Sequence, residues 1–447
     1  MKKSYWGIIA FALALVLFAV LSTQAIFHDV PEYLTIAKNI AGIQNVSLFI
    51  GHSVVYPALI SLFLKIWPSL VMIKLVNCLW IFLMGLALLY FFKNKNAFLI
   101  FAFSPLTWYA SIQTTPILPA SFCMLMAYFF IKQEKTKHRL LYSGLFLGLS
   151  AAFYDPMLLV TVVFILVYFW DKKLNDVFKY AIAFAIGILP RLILDYWLFK
   201  MPFYSLIRYF GTNALISLGL NPSQKIPGFT LQIIILSLVA ISPLLFRVYK
   251  LKLKENLKDI LFLGIIFILL LFRASLLKYF MLISPIVILL LSGILSKKEI
   301  KWHCILSIPL IILLTWSFFG YNSDVSAQKD IRIIIQNYNV NYIIAEPYNA
   351  NYIASFLWQN NPKIIWFEDY NASINNQTSW KTYDFQISHP RISLREDIHI
   401  LAVFQRPENI TYENSILVAE KMGNESSELF GFKLDRCYGS LCVYKIK

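Results

Sequence analysis

The sequence predicts a polytopic α-helical membrane protein with about 11–13 transmembrane helices and a C-terminal extracytoplasmic α/β domain. Two observations predict the helical part: 59% of the 447 residues are hydrophobic, with a mean hydropathy of +0.64, and long apolar runs recur from residue 4 to about residue 320. The third observation is a change near residue 322, where short β-rich runs replace the apolar runs. The predicted domains are therefore 1–321 and 322–447.

The net charge of +16 is distributed unevenly along the chain. Residues 326–447 hold 12 Lys/Arg and 13 Asp/Glu, whereas residues 1–325 hold 28 and 11. In the first part the basic residues cluster in short loops between apolar runs, as in the cytoplasmic loops of membrane proteins. We therefore attribute the basic excess to membrane topology, and nucleic acid is not expected as a partner.

The N-terminus reads Met1-Lys2-Lys3, followed by an apolar run over 5–26. This run is too long for a cleavable signal peptide, and no small-residue cleavage site follows it. We interpret it as a retained first span with a cytoplasmic N-terminus. The first exterior loop is then predicted at about residues 27–52.

The sides of the later loops follow from their charge. The predicted cytoplasmic loops are 132–139, 172–173, 247–258 and 297–301. Everything after Tyr321 is then exterior, which requires an odd number of crossings. The sequence contains about twelve apolar segments, of which 52–67 is short for a span at about 1.5 Å per residue. If 52–67 crossed the membrane, Lys93 and Lys95 would be exterior.

The C-terminal segment alternates between two kinds of pattern. β-rich runs occur at 342–345, 364–367, 398–404 and 442–446. Helix-like stretches occur at 349–358 and 415–422, so a small α/β domain is predicted.

Two further features place this domain outside the cell. Asn-x-Ser/Thr sequons, the acceptors of N-glycosylation, occur at Asn45, Asn371, Asn376, Asn409 and Asn424. All of them fall in predicted exterior segments. Cys437 and Cys442 lie close together in the domain, and a disulfide between them would suit an oxidising compartment.

Two carboxylates three residues apart open the first exterior loop, in the run Phe27-His28-Asp29-Val30-Pro31-Glu32-Tyr33. Ionisable side chains at the edge of the membrane are costly and mark pathways or active sites. Asp29 and Glu32 also suit the N-cap and the third position of a helix that continues over 33–43. A carboxylate fixed at a helix N-terminus has the defined geometry that a general base needs, so both are candidate catalytic residues.

Three other predicted exterior carboxylates have simpler explanations. Asp155 precedes Pro156 in a tight turn, where Asp is common, and it is also a candidate for the vicinity of the substrate. Asp195 follows Arg191 by four residues, which favours an ion pair on one helix face. Asp324 begins the linker and is predicted to be solvated.

The chain resembles the GT-C glycosyltransferases. The resemblance rests on the acidic motif after the first span, the run Tyr33-x3-Ala37-Lys38-Asn39, and Tyr56-Pro57-Ala58-Leu59 before the next apolar segment. The order of many spans and then an exterior α/β domain is also similar, as is Lys278-Tyr279-x5-Pro285 to an Arg-Tyr-containing segment. Within the superfamily it looks most like the protein O-mannosyltransferase and aminoarabinose transferase branch.

The resemblance implies transfer of a sugar, with inversion, from a polyprenyl- or dolichyl-phosphate donor to a glycan, lipid or protein acceptor on the outer face. Asp29 matches the first-loop acid, which is implied to be the general base, and Glu32 is its neighbour. The donor phosphate would need cations. Candidates for this contact, with one tyrosine, are Arg191, Arg208, Lys225, Arg273, Lys278 and Tyr279. Residues expected near the substrate are His28, His52, Tyr56 and Asp155.

A divalent cation stays open as a cofactor, and no metal ligands are assigned. Asp29, Glu32 and His52 could supply oxygen and nitrogen ligands. However, the exterior turn Gln113-Thr114-Thr115-Pro116 has no acid where relatives often carry a second one. The Trp-Trp-Asp signature of oligosaccharyltransferases is also absent from the sequence.

Two other classes of function stay open. A lipid or glycolipid transporter or flippase would more often show internal repeats and broken or charged helices near the bilayer centre. A non-catalytic, membrane-anchored surface protein would have no need of the Asp29 and Glu32 pair.

Overall fold

The structure is a computed structural model of the chain. It describes residues 2–22, 30–44, 52–133, 136–217, 256–273, 277–316, 323–345, 347–358, 362–366, 414–420, 427–429, 431–439 and 441–446. The chain divides into two units. The first comprises Met1–Gln24, Ile73–Phe203 and Ile226–Gly320, and the second comprises Ala25–Met72, Tyr204–Lys225 and Tyr321–Lys447. The second unit thus gathers the C-terminal segment together with two stretches from the predicted membrane domain.

The first unit is helical. Its helices are α1 (Lys2–Leu21), α4 (Leu70–Leu86), α5 (Lys95–Ala102), α6 (Pro105–Ser111), α7 (Ile117–Lys132), α8 (Arg139–Phe153), α9 (Met157–Phe169), α10 (Leu174–Phe199), α12 (Leu257–Arg273), α13 (Ser284–Ser292) and α14 (Lys297–Thr315). A π-helical turn, Ala87–Phe91, continues α4, and a 3₁₀ helix, Leu277–Leu282, precedes α13. The helices α2, α3 and α11 belong to the second unit.

Helices α7, α8 and α10 pack closely because small residues line their contacts. A Cβ atom on Gly148 of α8 would lie 2.9 Å from the Cα atom of Gly187 in α10, and one on Gly144 would lie 3.1 Å from Cβ of Ala183. On the other side of α8, the Ser150 hydroxyl donates to the Ala120 carbonyl of α7 at 2.7 Å. Such close helix contacts through small residues, with hydroxyls bonding across, are typical of helix pairs in membranes.

Two of the described helices are each long and apolar enough to cross a membrane, Leu70–Phe91 and Leu174–Phe199. Shorter apolar helices are Trp6–Leu21, Val55–Leu64, Ile117–Lys132, Arg139–Phe153 and Met157–Phe169. In the first unit, exposed tryptophans lie near helix ends, as in the aromatic belts at membrane surfaces. They are Trp6, Trp170, Trp197, Trp302 and Trp316.

The second unit combines helices with a mixed sheet. Its helices are α2 (Val30–Ala41), α3 (Val55–Leu64), α11 (Tyr204–Ser217), α15 (Ser323–Tyr338) and α16 (Pro347–Phe356). Its strands are β1 (Tyr342–Ala345), β2 (Lys363–Trp366), β3 (Ser415–Glu420), β4 (Glu428–Leu429), β5 (Phe432–Tyr438) and β6 (Leu441–Ile446). The strand order is β2-β1-β3-β6-β5-β4, with β1 parallel to β2 and β3 and the other pairs antiparallel.

The predicted α/β character of the C-terminal segment is confirmed, with one wrong element. The stretch 415–422 is not helical, because Ser415–Glu420 forms the strand between β1 and β6. Ile416, Leu417 and Val418 are all buried, so this strand has an apolar run instead of the alternation that marks a half-exposed strand. The predicted run 398–404 lies outside the described residues.

Cys437 and Cys442 face each other on the antiparallel strands β5 and β6 and are joined by a disulfide bond. The pair predicted from the sequence is therefore present in the structure. The five sequon asparagines, Asn45, Asn371, Asn376, Asn409 and Asn424, lie outside the described residues.

Candidate functional site

The acidic motif leads into helix α2 of the second unit. Asp29 and His28 lie outside the described residues, and α2 begins at Val30. Pro31 suits the first turn of a helix, where its missing N–H is no loss. Glu32 is buried in that turn and accepts two contacts from His52: the backbone N–H at 3.0 Å and the ring Nδ1 at 3.3 Å. Glu32 and His52, two separate site candidates from the sequence, are therefore brought together.

Aromatic rings surround this pair. The His52 ring lies 5.7 Å from the ring of Tyr33 and 5.7 Å from that of Tyr209, between ring centroids. Tyr33 in turn contacts Tyr56 edge-on at 5.7 Å. We call Glu32, Tyr33, His52, Tyr56 and Tyr209 the loop cluster. It places a carboxylate and an imidazole side by side among aromatic rings, an arrangement that can transfer a proton.

One predicted cation lies next to the loop cluster in sequence. Arg208 precedes Tyr209 on α11, and its side chain is buried. Lys225, predicted from the same exterior segment, lies outside the described residues.

Helix α2 is fixed at its other end by Lys38, a residue whose importance the sequence did not indicate. Lys38 is fully buried, and its Nζ donates to the carbonyl oxygens of Ala354 at 3.0 Å and Leu357 at 2.7 Å, and to that of Ser355. It also lies 3.9 Å from the centre of the Trp358 ring. A cation at the C-terminus of α16 interacts favourably with the helix dipole, while burial lowers the pKa of Lys38.

In the first unit, Asp155 forms a buried ion pair with Arg191. Asp155 ends the α8–α9 turn, and Arg191 reaches it from α10, with a further contact of 3.4 Å from Nη1 to the Ala151 carbonyl. Arg191 thus pairs with Asp155, which precedes it by one intervening helix, α9, and the i, i+4 spacing to Asp195 did not reveal this contact. The guanidinium of Arg191 fixes Asp155 at this position.

The predicted donor-phosphate segment lies beside Asp155 in the same unit. Lys278 and Tyr279 are on the 3₁₀ helix, Lys278 is buried, and its Nζ lies 5.6 Å from the Tyr279 ring centre. Tyr279 stacks on Tyr154, the neighbour of Asp155, at 6.3 Å. We call Tyr154, Asp155, Arg191, Lys278 and Tyr279 the bundle cluster. Arg273 ends α12, and its side chain is not described.

Sequence reasoning missed a group of buried polar residues in this unit. Lys74 of α4 donates from Nζ to the Ser22 carbonyl at 2.5 Å, and Asn77 donates from Nδ2 to the Gln113 carbonyl at 3.0 Å. Gln113 and Thr114, in the turn between α6 and α7, are also buried. The signal was available, because a lysine and an asparagine three residues apart in an apolar run lie on one helix face.

Within the described ranges, no group of three or more His, Cys, Asp or Glu side chains has the arrangement of a metal site. His52 and Glu32 alone provide two ligands there. Asp29, the third residue considered for a cation, is outside those ranges.

No protein-family model matches the sequence, and no curated protein is significantly similar to it. Solved structures are similar. ArnT from Cupriavidus metallidurans bound to undecaprenyl phosphate is 10% identical, with a TM-score of 0.65 over 99% of this chain and 98% of that chain. The apo state of that ArnT is 10% identical, with a TM-score of 0.60 over 82% and 86%.

A weaker likeness is to the oligosaccharyltransferase of Archaeoglobus fulgidus in complex with zinc and sulfate. That protein is 11% identical to this chain, and the match has a TM-score of 0.46 and covers 79% of this chain and 62% of that chain. The full-length likeness to ArnT, together with the helical first unit and the C-terminal sheet, shows that this chain has the GT-C fold.

Proposed function

We propose that the protein is a membrane glycosyltransferase that moves a sugar from a polyprenyl- or dolichyl-phosphate donor to an acceptor hydroxyl. The observation that carries this proposal is the fold, which matches nearly the whole length of ArnT, a protein solved with undecaprenyl phosphate bound. The match covers 99% of this chain, so it extends over the C-terminal segment as well as the helices. The acidic start of α2 supports the same proposal.

In the proposed reaction, Asp29 is the general base. Its carboxylate takes the proton of the acceptor hydroxyl as that oxygen attacks the anomeric carbon of the donor. The bond between this carbon and the phosphate oxygen breaks, and its electron pair leaves with the polyprenyl phosphate. Attack from the face opposite the phosphate inverts the anomeric carbon. Glu32, which His52 holds in place through two contacts, is the second carboxylate of the motif. In the proposal it contributes negative charge around the base.

Cations stabilise the negative charge that develops on the leaving phosphate. In our proposal Lys278 and Arg273 make this contact, and Tyr279 orients Lys278 through the contact of its ring with Nζ. Arg208, Lys225 and Arg191 are the further candidates, of which Arg191 is already engaged by Asp155. His28, His52, Tyr56 and Asp155 are assigned to the surroundings of the substrates.

We further propose that the enzyme belongs to the protein O-mannosyltransferase and aminoarabinose transferase branch. Its N-terminus would be cytoplasmic, and its C-terminal domain and reaction would be on the outer face. The acceptor would be a glycan, a lipid or a protein. The Tyr33-x3-Ala37-Lys38-Asn39 and Tyr56-Pro57-Ala58-Leu59 runs support this branch.

The test is a donor panel. Purified full-length protein is incubated with polyprenyl-phosphate sugars and a membrane extract as acceptor source, and release of the lipid phosphate is followed by mass spectrometry. We expect turnover of at least one donor and a loss of about 10²–10⁴-fold in rate for Asp29→Asn, as for removal of a general base. Asp171→Asn is the matched control, because Asp171 is an exposed carboxylate paired with Lys258. Equal inactivity of wild type and Asp29→Asn with every donor would contradict the proposal.

A further inference from the structure

Lys74 is a buried cation without a recorded carboxylate partner. It lies in the apolar helix α4, with 6% of its surface exposed, and its Nζ bonds the Ser22 carbonyl just past the end of α1. The ion pairs formed by the described residues do not include it. An ammonium has three N–H donors, and only one is used by Ser22. Buried charges in proteins are normally paired, and no carboxylate among the described residues is the counter-ion of this one.

The turn between α6 and α7 reaches α4 one helical turn from Lys74. Asn77, on the same face of α4, holds the turn by its hydrogen bond to the backbone of Gln113. In that turn the side-chain Nε2 of Gln113 and the hydroxyl of Thr114 are buried and have no hydrogen-bond partner in the described part of the chain. Buried polar groups are satisfied in the great majority of native structures, so two neighbouring orphans call for a ligand.

The chemistry of these groups selects an anion. The ammonium of Lys74 and the amide of Gln113 offer donors, and the Thr114 hydroxyl can donate as well. Together the three side chains offer one positive charge and several hydrogen-bond donors, which suit a ligand group rich in acceptor oxygens. Because the three residues are buried among the helices of a membrane protein, the anion must arrive attached to a lipid. We propose that Lys74, Gln113 and Thr114 form a binding site for the phosphate group of a lipid.

The surrounding elements fit this assignment. The 3₁₀ helix that carries Lys278 packs against both α6 and α7, the two helices that the Gln113 turn connects. A second cation is therefore carried on an element beside the same turn. The identity of the lipid as a polyprenyl phosphate rests on the proposed function, whereas the anion site itself rests only on the buried groups.

The test measures lipid binding, not turnover. Full-length protein in detergent is titrated with undecaprenyl phosphate and, separately, with phosphatidylglycerol, and affinity is read by native mass spectrometry. Lys74→Gln retains a donor for the Ser22 carbonyl but removes the charge, and we expect it to weaken binding of one of these lipids at least tenfold. Lys74→Arg should retain most of the affinity. Lys179→Gln, an exposed lysine on α10, should bind as the wild type does.

The lipid that loses affinity identifies the source of the phosphate. Unchanged affinity of a folded Lys74→Gln for both lipids would overturn the proposal, and Lys74 would then only cap the C-terminus of α1. If Lys74→Gln fails to fold, acetylation of the Lys74 amine is measured in the wild-type protein instead. Bound undecaprenyl phosphate or phosphatidylglycerol should slow this reaction. Equal labelling with and without either lipid would refute the site. Failure of the donor panel with intact Lys74-dependent binding would refute the proposed reaction alone.

Discussion

At the scale of single residues, the most constrained contact in the first unit is the ion pair of Asp155 and Arg191. Both side chains are fully buried, so neither charge is compensated by water. Removing one partner of such a pair leaves an unpaired charge, which costs more than removing both. The stability of variants at Asp155 and Arg191 therefore measures how strongly this pair holds the α8–α9 turn against α10.

Arg191→Met is expected to destabilise the protein by about 3–5 kcal/mol, because it leaves the Asp155 carboxylate buried without its guanidinium partner. Thermal unfolding in detergent, followed by loss of monodisperse protein, measures the effect. The double variant Asp155→Asn with Arg191→Met should recover part of the loss. Lys258→Met, which breaks the exposed pair with Asp171, is the control and should shift the midpoint far less. An equal shift for Lys258→Met would contradict the argument.

The burial of Lys38 predicts that the free energy of unfolding depends on pH, and it determines the sign of that dependence. Burial lowers the pKa of Lys38 in the folded state, whereas the unfolded chain has the ordinary value of about 10.4. Between the two values the unfolded state binds the additional proton, so the free energy of unfolding rises with pH in this window. Below the lowered pKa the contribution is constant.

The measurement compares unfolding midpoints of wild type and Lys38→Met from neutral pH to about pH 10. We expect the wild type to gain stability relative to Lys38→Met as the pH rises. Lys329→Met, an exposed lysine on α15 of the same unit, should give curves parallel to those of the wild type. A gap between wild type and Lys38→Met that stays constant over the range would refute the shift.

At the scale of elements, the crossing of α8 and α10 depends on glycine. Gly148 and Gly187 approach so closely that a Cβ on either would meet backbone atoms of the other helix. The ion pair of the bundle cluster, between Asp155 in the turn after α8 and Arg191 on α10, depends on this separation. A wider crossing would therefore affect both packing and the ion pair.

Gly148→Leu is expected to lower the unfolding midpoint strongly, since overpacking of a tight contact costs about 1–3 kcal/mol or more. Gly264 is the matched control, because it is a glycine within the helix α12 and nothing lies within 4 Å of an added Cβ. Gly264→Ala should be neutral or slightly stabilising through helix propensity. Similar losses for both variants would contradict the role of the close crossing, because an added side chain at Gly264 meets no neighbouring atom.

Helix α3 bears on the number of crossings. It has ten residues, and a helix of that length extends about 15 Å, half of the hydrocarbon thickness. If Val55–Leu64 does not cross, the predicted segments become odd in number, as a cytoplasmic start and an exterior end require. Lys93 and Lys95 then move to the predicted cytoplasmic side, where basic residues are favoured.

Labelling with an impermeant maleimide in intact cells measures this arrangement. Lys95→Cys should react only after permeabilisation, whereas Glu428→Cys in the C-terminal sheet should react in intact cells. Wild type, whose free cysteines are Cys78, Cys123 and Cys304, gives the background. Immediate labelling of Lys95→Cys would refute the assignment.

At the scale of the whole molecule, composition and charge were enough to predict the helical membrane part and the C-terminal α/β domain. They do so because a membrane span needs a long continuous apolar run, whereas the strands of a small α/β domain are short apolar runs. Individual buried polar contacts could not be predicted, since Asp155 with Arg191 and Lys74 with Ser22 join segments distant in sequence. The strand Ser415–Glu420 was missed because burial on both faces erases the alternation.

The clamp of Lys38 on α16 also has a consequence for biogenesis. Its partner Ala354 lies 316 residues further along the chain, which the ribosome needs on the order of 15–60 s to add at about 5–20 residues per second. Throughout this time the Lys38 side chain has no final partner, although α2 can already pack against α3. The final anchoring of α2 through Lys38 is therefore coupled to completion of the polypeptide, so chains that end before Ala354 would lack this clamp.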